Sequence, residues 1–357
     1  MSLRFSLFLL LTCIWISTFS LKAQPQGYYD HAAGLTGTEL QQALHNIIDD
    51  HIVCEYSDLW IHFQSTDKKS DGTVWDMYSD IPGETPAYVY EFSQNECGNY
   101  TQEGDCFNRE HSFPKSWFGG EILPMYTDLF HIYPTDGWVN NKRMNFPFGT
   151  TASPTWTSTN GSRLGPCSYT GYTGTVFEPV DSYKGDFARS YFYMAVRYYG
   201  EDSEWPGSDM ADGSQPKPWA LNMLLEWDQS DPVSQKETDR NEAVFLIQGN
   251  RNPFIDNPDY ATQIWSTPSN IDIHGKEVGS IKVWPNPSDE MVWVEVPGSF
   301  SEAYSVRIIN TTGVIIRDIS SSGSSHQLDV SEIPEGYYIL IVSDNKNLLA
   351  TPLLILR

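Results

Sequence analysis

Three short runs hold most of the side chains that could do chemistry: Asn108-Arg109-Glu110-His111, Asp128-Leu129-Phe130-His131, and Val139-Asn140-Asn141-Lys142-Arg143-Met144-Asn145. If a strand carries the adjacent Glu110 and His111, their side chains point to opposite faces. One can then ligate a hard cation through oxygen while the other faces a water molecule. A carboxylate and an amide oxygen suit Mg2+, which keeps several waters and takes few protein ligands. An imidazole that titrates near neutrality suits removal of a proton from water. A base that makes the nucleophile and a cation that stabilises charge on phosphorus together suffice to hydrolyse a phosphodiester. A lone Glu-His pair is more often a solvated surface pair, and an Asn-rich run is more often a turn, so spacing alone does not decide the matter.

The elements that must position these groups follow from periodicity. Leu40, Leu44, Ile47 and Ile48 recur at helical spacing between Thr38 and His51, with Thr36 or Thr38 as N-cap. Val74 to Tyr78 alternates between turn residues and reads as a strand. Residues 106–148 are irregular and broken by Pro114, Pro124 and Pro134. Helices are expected over Ala188–Val196 and over about Ser234–Gln248. Helices mixed with short strands in this way give an α+β domain. After about Trp265 the pattern changes to strands alone, at Met291–Val296, Tyr304–Ile309, Val314–Ile319 and Tyr337–Val342, which reads as a small all-β sandwich. The expected organisation is a signal peptide over 1–23, a catalytic domain over 24–267, a linker over 268–276 and a β-sandwich over 277–357.

The N-terminal run from Phe5 to Ser20 follows Arg4 and precedes Leu21-Lys22-Ala23, a pattern read as a removed signal peptide rather than a membrane span. With Cys13 inside that run, Cys54, Cys97, Cys106 and Cys167 remain. An even number in an exported chain suggests two disulfides. Cys97 and Cys106 flank a Gly/Asn-rich turn and are expected to pair, which leaves Cys54 for Cys167. Zinc is the weaker alternative, because no pair has C-x-x-C spacing.

The formal net charge is −24 over 357 residues, a balance that argues against a phosphate-rich partner. Its distribution argues otherwise. Residues 106–197 carry eight basic and seven acidic side chains, whereas 24–105 carry two and fifteen and 198–270 carry four and thirteen. The acidity belongs to the flanks of the motif segment.

The run 108–116, Asn-Arg-Glu-His-Ser-Phe-Pro-Lys-Ser, with 127–145, Thr-Asp-Leu-Phe-His-Ile-Tyr-Pro-Thr-Asp-Gly-Trp-Val-Asn-Asn-Lys-Arg-Met-Asn, resembles the bacterial extracellular/periplasmic endonuclease I family. The resemblance continues through 188–194 and 248–256 and covers roughly residues 35–265. It implies a ββα-metal active-site motif in which His111 is the general base, Glu110 a metal ligand, and Asn140 the amide ligand, with Asn145 as a second candidate. Arg143 would contact the scissile phosphate or form a structural salt bridge, and Arg109 would be structural. Family members commonly have His where this chain has Phe130, a position expected to support the site. His45, His51, His62 and His274 fall outside the motif and read as surface or packing residues. The implied cofactor is Mg2+, with Mn2+ and Ca2+ as alternatives. The implied activity is cleavage of DNA, with RNA a second candidate, at largely nonspecific sites to leave 5′-phosphates. Residues 281–288, Ile-Lys-Val-Trp-Pro-Asn-Pro-Ser, and Gly336-Tyr337-Tyr338-Ile339-Leu340 resemble the type A sorting domain of the type IX secretion route. That implies the secretion machinery as a partner and a secreted or cell-surface location; with no second run of 18 apolar residues, no stable membrane span is expected, and the chain is expected to be a monomer.

The competing reading is an exported glycan-binding or glycan-cleaving protein with an adhesive sandwich tail. It draws on 12 Trp, 20 Tyr and the acidic balance, but no carboxylate pair stands out for work on a glycosidic bond. No H-E-x-x-H, G-x-x-x-x-G-K or G-x-S-x-G is present.

Overall fold

The computed structural model describes residues 24–265, 281–298, 300, 303–310, 315–344 and 348–357. The expected signal peptide and the linker lie outside the described residues, as does His274. The chain divides into two compact units, ending at Thr267 and beginning at Pro268.

In the first unit, α1 (Gly37–Ile48) buries Leu40, Leu44 and Ile48 on one stripe. It stops before His51 because Asp49 turns extended and Asp50 takes a left-handed φ of 52°. Thr36 stands at the N-cap, although its side chain makes no capping bond. A short α2 (Leu59–Thr66) follows. The strand expected over Val74–Tyr78 is not formed. Val74 makes one isolated bridge to Lys68, and the Asp76 carboxylate accepts the Tyr78 N–H at 2.7 Å, bending the chain at a local side-chain turn.

The next elements are contiguous with the motif: β1 (Phe107–His111), β2 (Ile132–Asp136) and α3 (Gly137–Arg143). β1 and β2 pair antiparallel, with Glu110 opposite Tyr133 and His111 opposite Ile132. Asp136 ends β2 and caps α3, accepting the Val139 N–H at 2.8 Å, so the chain passes from strand to helix without a loop. A three-stranded antiparallel sheet of β3 (Trp156–Thr157), β4 (Arg163–Pro166) and β5 (Thr175–Glu178) comes next.

α4 (Lys184–Arg197) is buried at every residue from Gly185 to Arg197, which makes it the central helix of the unit. The small hairpin of β6 (Ala211–Asp212) and β7 (Gln215–Pro216) leads to α5 (Pro218–Ser230), which opens with Pro in its first turn. α6 (Gln235–Gln248) begins with a capping box between Ser234 and Glu237. α7 (Pro253–Asp256) and α8 (Asp259–Trp265) complete the unit.

In the second unit all seven described elements are strands: β8 (Lys282–Trp284), β9 (Met291–Glu295), β10 (Tyr304–Asn310), β11 (Ile315–Ser321), β12 (Ser325–Asp329), β13 (Gly336–Ser343) and β14 (Leu348–Ile355). They form two sheets, ordered β11-β10-β13-β14 and β12-β9-β8. Val292 and Val294 alternate inward on one, Val306, Ile308, Leu340 and Val342 on the other, as a two-layer sandwich requires. The molecule is thus an α+β unit followed by an all-β unit.

Cys97 and Cys106 form a disulfide with their Cα atoms 5.1 Å apart. The second expected bridge is not made. Cys54 and Cys167 are free thiols in separate surroundings, Cys54 near Asp128 and Asp58, and Cys167 beside the carbonyl of Tyr169. No helix among the described residues is long and apolar enough to cross a membrane.

Candidate functional site

The two-residue period of β1 sorts the motif. Glu110 turns to the inner face and is only 3% exposed. Its Oε1 accepts from the Tyr78 hydroxyl at 2.9 Å and from Arg143 Nη1 at 2.7 Å, and Oε2 takes part in neither bond. Arg143, on the last turn of α3, is 0% exposed. It also donates to the carbonyls of His111 at 2.9 Å and Ser112 at 2.7 Å, so one guanidinium fixes α3 to the end of β1. Burial raises the Glu110 carboxyl above its ordinary range, while the Arg143 charge and the two hydrogen bonds pull it back down. Of the two roles foreseen for Arg143, this geometry is that of the salt bridge.

His111 turns to the opposite face, together with Arg109. Its ring lies parallel to Tyr126, 8° apart in plane with centroids at 5.3 Å, and Tyr126 stacks in turn on Tyr56 at 4.3 Å. His111 Nε2 is 3.1 Å from the Tyr126 carbonyl. A carbonyl only accepts, so Nε2 carries the proton and Nδ1 presents the lone pair. Burial, aided by His131, lowers the imidazole pKa to about 3 and keeps the ring neutral.

Asn140 precedes Arg143 by three residues on α3, which places the two on one helical face. Its side-chain amide makes no hydrogen bond to any described residue, whereas its carbonyl accepts the Met144 N–H at 2.9 Å. Asn145 lies beyond the helix, past Met144 with its φ of 52°, and donates from the surface to Ser116 Oγ at 3.3 Å. The structure therefore ties Glu110, Arg143 and α3 together, puts Asn140 on the bound face of that helix, and sets Asn145 outside it.

The segment before β2 is a support. Phe130 is 1% exposed and packs on Tyr193 at 4.6 Å, inside the core. Its neighbour His131 approaches the base instead, 5.6 Å from His111 between ring centroids, and bonds the Met125 carbonyl through Nε2 at 2.7 Å. Asp128 accepts from Tyr193, Tyr198, Gln248 and the Phe130 N–H. The run 248–256 has the same character: Asn250 bonds Tyr193 and the Ile48 carbonyl, Arg251 pairs with Asp256 and Glu242, and Asn252 caps α7. His51 is buried against Arg197. His45, Asp49 and Glu201 come close enough together to hold a cation, but the Arg197 guanidinium already bridges the two carboxylates at 3.0 and 2.9 Å.

Three residues of the site escaped the sequence reading. Tyr78 sits in the stretch taken for a strand. Tyr126 acts through its backbone carbonyl and its stacked ring, neither of which the motif spacing reports. Tyr56 lies far from the motif in sequence, with no local spacing to betray it.

The sequence profile of the Endonuclease I family matches residues 36–259, and that of the secretion system C-terminal sorting domain matches residues 282–356. An extracellular ribonuclease of Bacillus amyloliquefaciens is 37% identical over 250 residues, spanning 68% of this chain and 79% of its own length. An extracellular ribonuclease of Bacillus subtilis (strain 168) is 36% identical over 252 residues, with 68% and 80% covered. An extracellular deoxyribonuclease of Aeromonas hydrophila is 29% identical over 140 residues, covering 38% and 51%.

Proposed function

From the premise that this chain belongs to the endonuclease I family, and is therefore an exported nuclease, we propose that it hydrolyses phosphodiester bonds of DNA and RNA in a divalent-metal-dependent, largely sequence-nonspecific reaction that leaves 5′-phosphates. The observation that carries the mechanism is the 3.1 Å contact of His111 Nε2 with the Tyr126 carbonyl. With Nε2–H committed to the Tyr126 carbonyl, Nδ1 is a neutral base on the face of β1 opposite Glu110. It accepts the proton of the attacking water, and the Tyr126 stack fixes the plane from which it does so. Removal of this proton needs no prior deprotonation of the ring, because burial keeps it neutral across the physiological range.

The donors present fit a hard divalent cation. Among the described residues Glu110 Oε2 and the Asn140 amide have no hydrogen-bond partner, giving one carboxylate and one amide oxygen, the small set that Mg2+ takes while keeping waters. Such a cation supplies electrostatic stabilisation of the charge that builds on the phosphoryl oxygens and the leaving 3′-oxygen. Arg143 holds Glu110 from behind, so the carboxylate is aimed, and its charge opposes part of the upward push of burial on the Glu110 carboxyl. Asn145 is the weaker ligand candidate, because it stands off the helix and is bonded to Ser116. Named relatives act on RNA and on DNA, which is why both are proposed as substrates.

The test is His111→Ala in the full chain, with folding confirmed by circular dichroism, assayed on plasmid DNA and on RNA with EDTA and with Mg2+, Mn2+ or Ca2+ added back. A fall of about 100-fold or more in kcat is expected for removal of a positioned base. Undiminished cleavage would remove His111 from the mechanism, and undiminished cleavage by the wild type in EDTA would remove the metal.

A further inference from the structure

We propose that Arg109 is a built receptor for a phosphate of the substrate strand flanking the scissile one; the proposal rests on the nuclease reading above. Residues 24–265 contain seven arginines. Six of them, Arg143, Arg163, Arg189, Arg197, Arg240 and Arg251, have a carboxylate within ion-pair distance. Arg109 has none among the described residues. Its guanidinium carbon lies 3.7 Å from the centroid of Tyr56 and 4.3 Å from that of Trp60, so the two rings hold the cation by its faces. Nη1 donates to the Tyr56 carbonyl at 2.8 Å, Nε is buried without a partner, and Nη2 makes no hydrogen bond to a described residue.

Such a group costs stability. A half-buried cation gripped by two rings, fixed in plane by one carbonyl and lacking an anion, is the arrangement that a phosphate oxygen completes.

Its place selects which phosphate. Arg109 and His111 are two residues apart on β1, so they share a face and stand about 6.7 Å apart along the strand. Tyr56 touches both, through the cation contact and through a near-parallel stacking on His111 at 6.3 Å. That separation is close to the step between neighbouring phosphates of one nucleic-acid strand. Arg109 is thus a binding residue, and the reacting phosphate belongs to His111 and the Glu110 side.

The experiment compares the wild-type chain with Arg109→Gln and Arg109→Lys in Mg2+, on a single-stranded oligonucleotide and on a dinucleoside monophosphate, which has one phosphodiester and no flanking phosphate. Arg109→Gln should raise KM for the oligonucleotide about tenfold with kcat within about twofold. It should also reduce the slope of log KM against log salt by about 0.7, the share of one phosphate contact on a single strand. On the dinucleotide kcat/KM should stay within about twofold of wild type. Arg109→Lys, which keeps the charge and loses the planar fork, should fall between. An equal loss on both substrates would make Arg109 a structural residue, and no loss on the oligonucleotide would remove the contact. If the nuclease reading itself is wrong, the wild-type chain cleaves neither substrate in any metal, an outcome separable from both.

Discussion

Arg143→Met separates the two roles that Arg143 could have. In the structure the guanidinium is wholly buried, neutralises a buried Glu110 at 2.7 Å and satisfies two backbone carbonyls. Methionine fills much of the same space, so the main loss is the charge and its hydrogen bonds. Breaking a buried ion pair from one side costs about 3–5 kcal/mol, because the other charge stays buried and unpaired. With a urea m-value of about 3 kcal/mol per molar, the midpoint of the first unit should fall by about 1–1.7 M. The double variant Glu110→Gln with Arg143→Met should recover a sizeable part of that loss, since no uncompensated charge remains. The assay is urea unfolding followed by near-ultraviolet circular dichroism, alongside plasmid cleavage. A midpoint within about 0.3 M of wild type together with abolished cleavage would refute the reasoning: Arg143 would then be reaching the substrate and not holding Glu110.

Phe130→His should not enhance cleavage, because the side chain points into the core against Tyr193; it should destabilise by about 1–3 kcal/mol through burial of an imidazole without a partner, read by thermal melting. A gain in activity would contradict this placement. Gly137→Ala should also destabilise, by about 1–3 kcal/mol, since its Cβ would stand 2.5 Å from Cys97 Sγ and 2.9 Å from the Tyr100 ring at the first turn of α3; wild-type unfolding would show that the disulfide loop yields. Stability should depend on acidity through His51 and His131. Burial lowers both below the ordinary histidine value, partly offset by Asp128, so the folded state prefers them neutral. The contribution is therefore fully present above about pH 6.5 and is lost as pH falls below it, and urea midpoints that are flat between pH 7.5 and 5.5 would exclude this linkage.

What the sequence could reveal follows a physical divide. α1 announces itself by periodicity, α6 by its Ser234 cap, and β9, β10 and β13 by alternation, because burial on one face imprints the chain locally, whereas α4, buried all round, shows only as an apolar run. Glu110, His111 and Asn140 could be singled out because they lie in one contiguous stretch that resembles a family motif, which the structure folds as a ββα unit; their roles are those proposed above. The Val74–Tyr78 strand failed because the Asp76 side chain competes for the backbone, a local bond that alternation does not register. The Cys54–Cys167 bridge failed because pairing by elimination says nothing about distance. The contributions of Tyr56 and Tyr78 were illegible for a related reason: each depends on chain segments that meet only after folding.

The paired arginines of the first unit have a consequence for how substrate arrives. Arg143, Arg189, Arg197, Arg240 and Arg251 are all buried within ion pairs, so these cations contribute little to the field that an approaching polyanion meets. The acids outside are felt more fully, and diffusional encounter is slowed by repulsion before any local contact forms. Capture rate and scaffold are thereby uncoupled. Exposed acids such as Glu84 or Glu204 can be exchanged for lysine to speed association without disturbing a buried pair, and the gain should vanish as added salt screens the field.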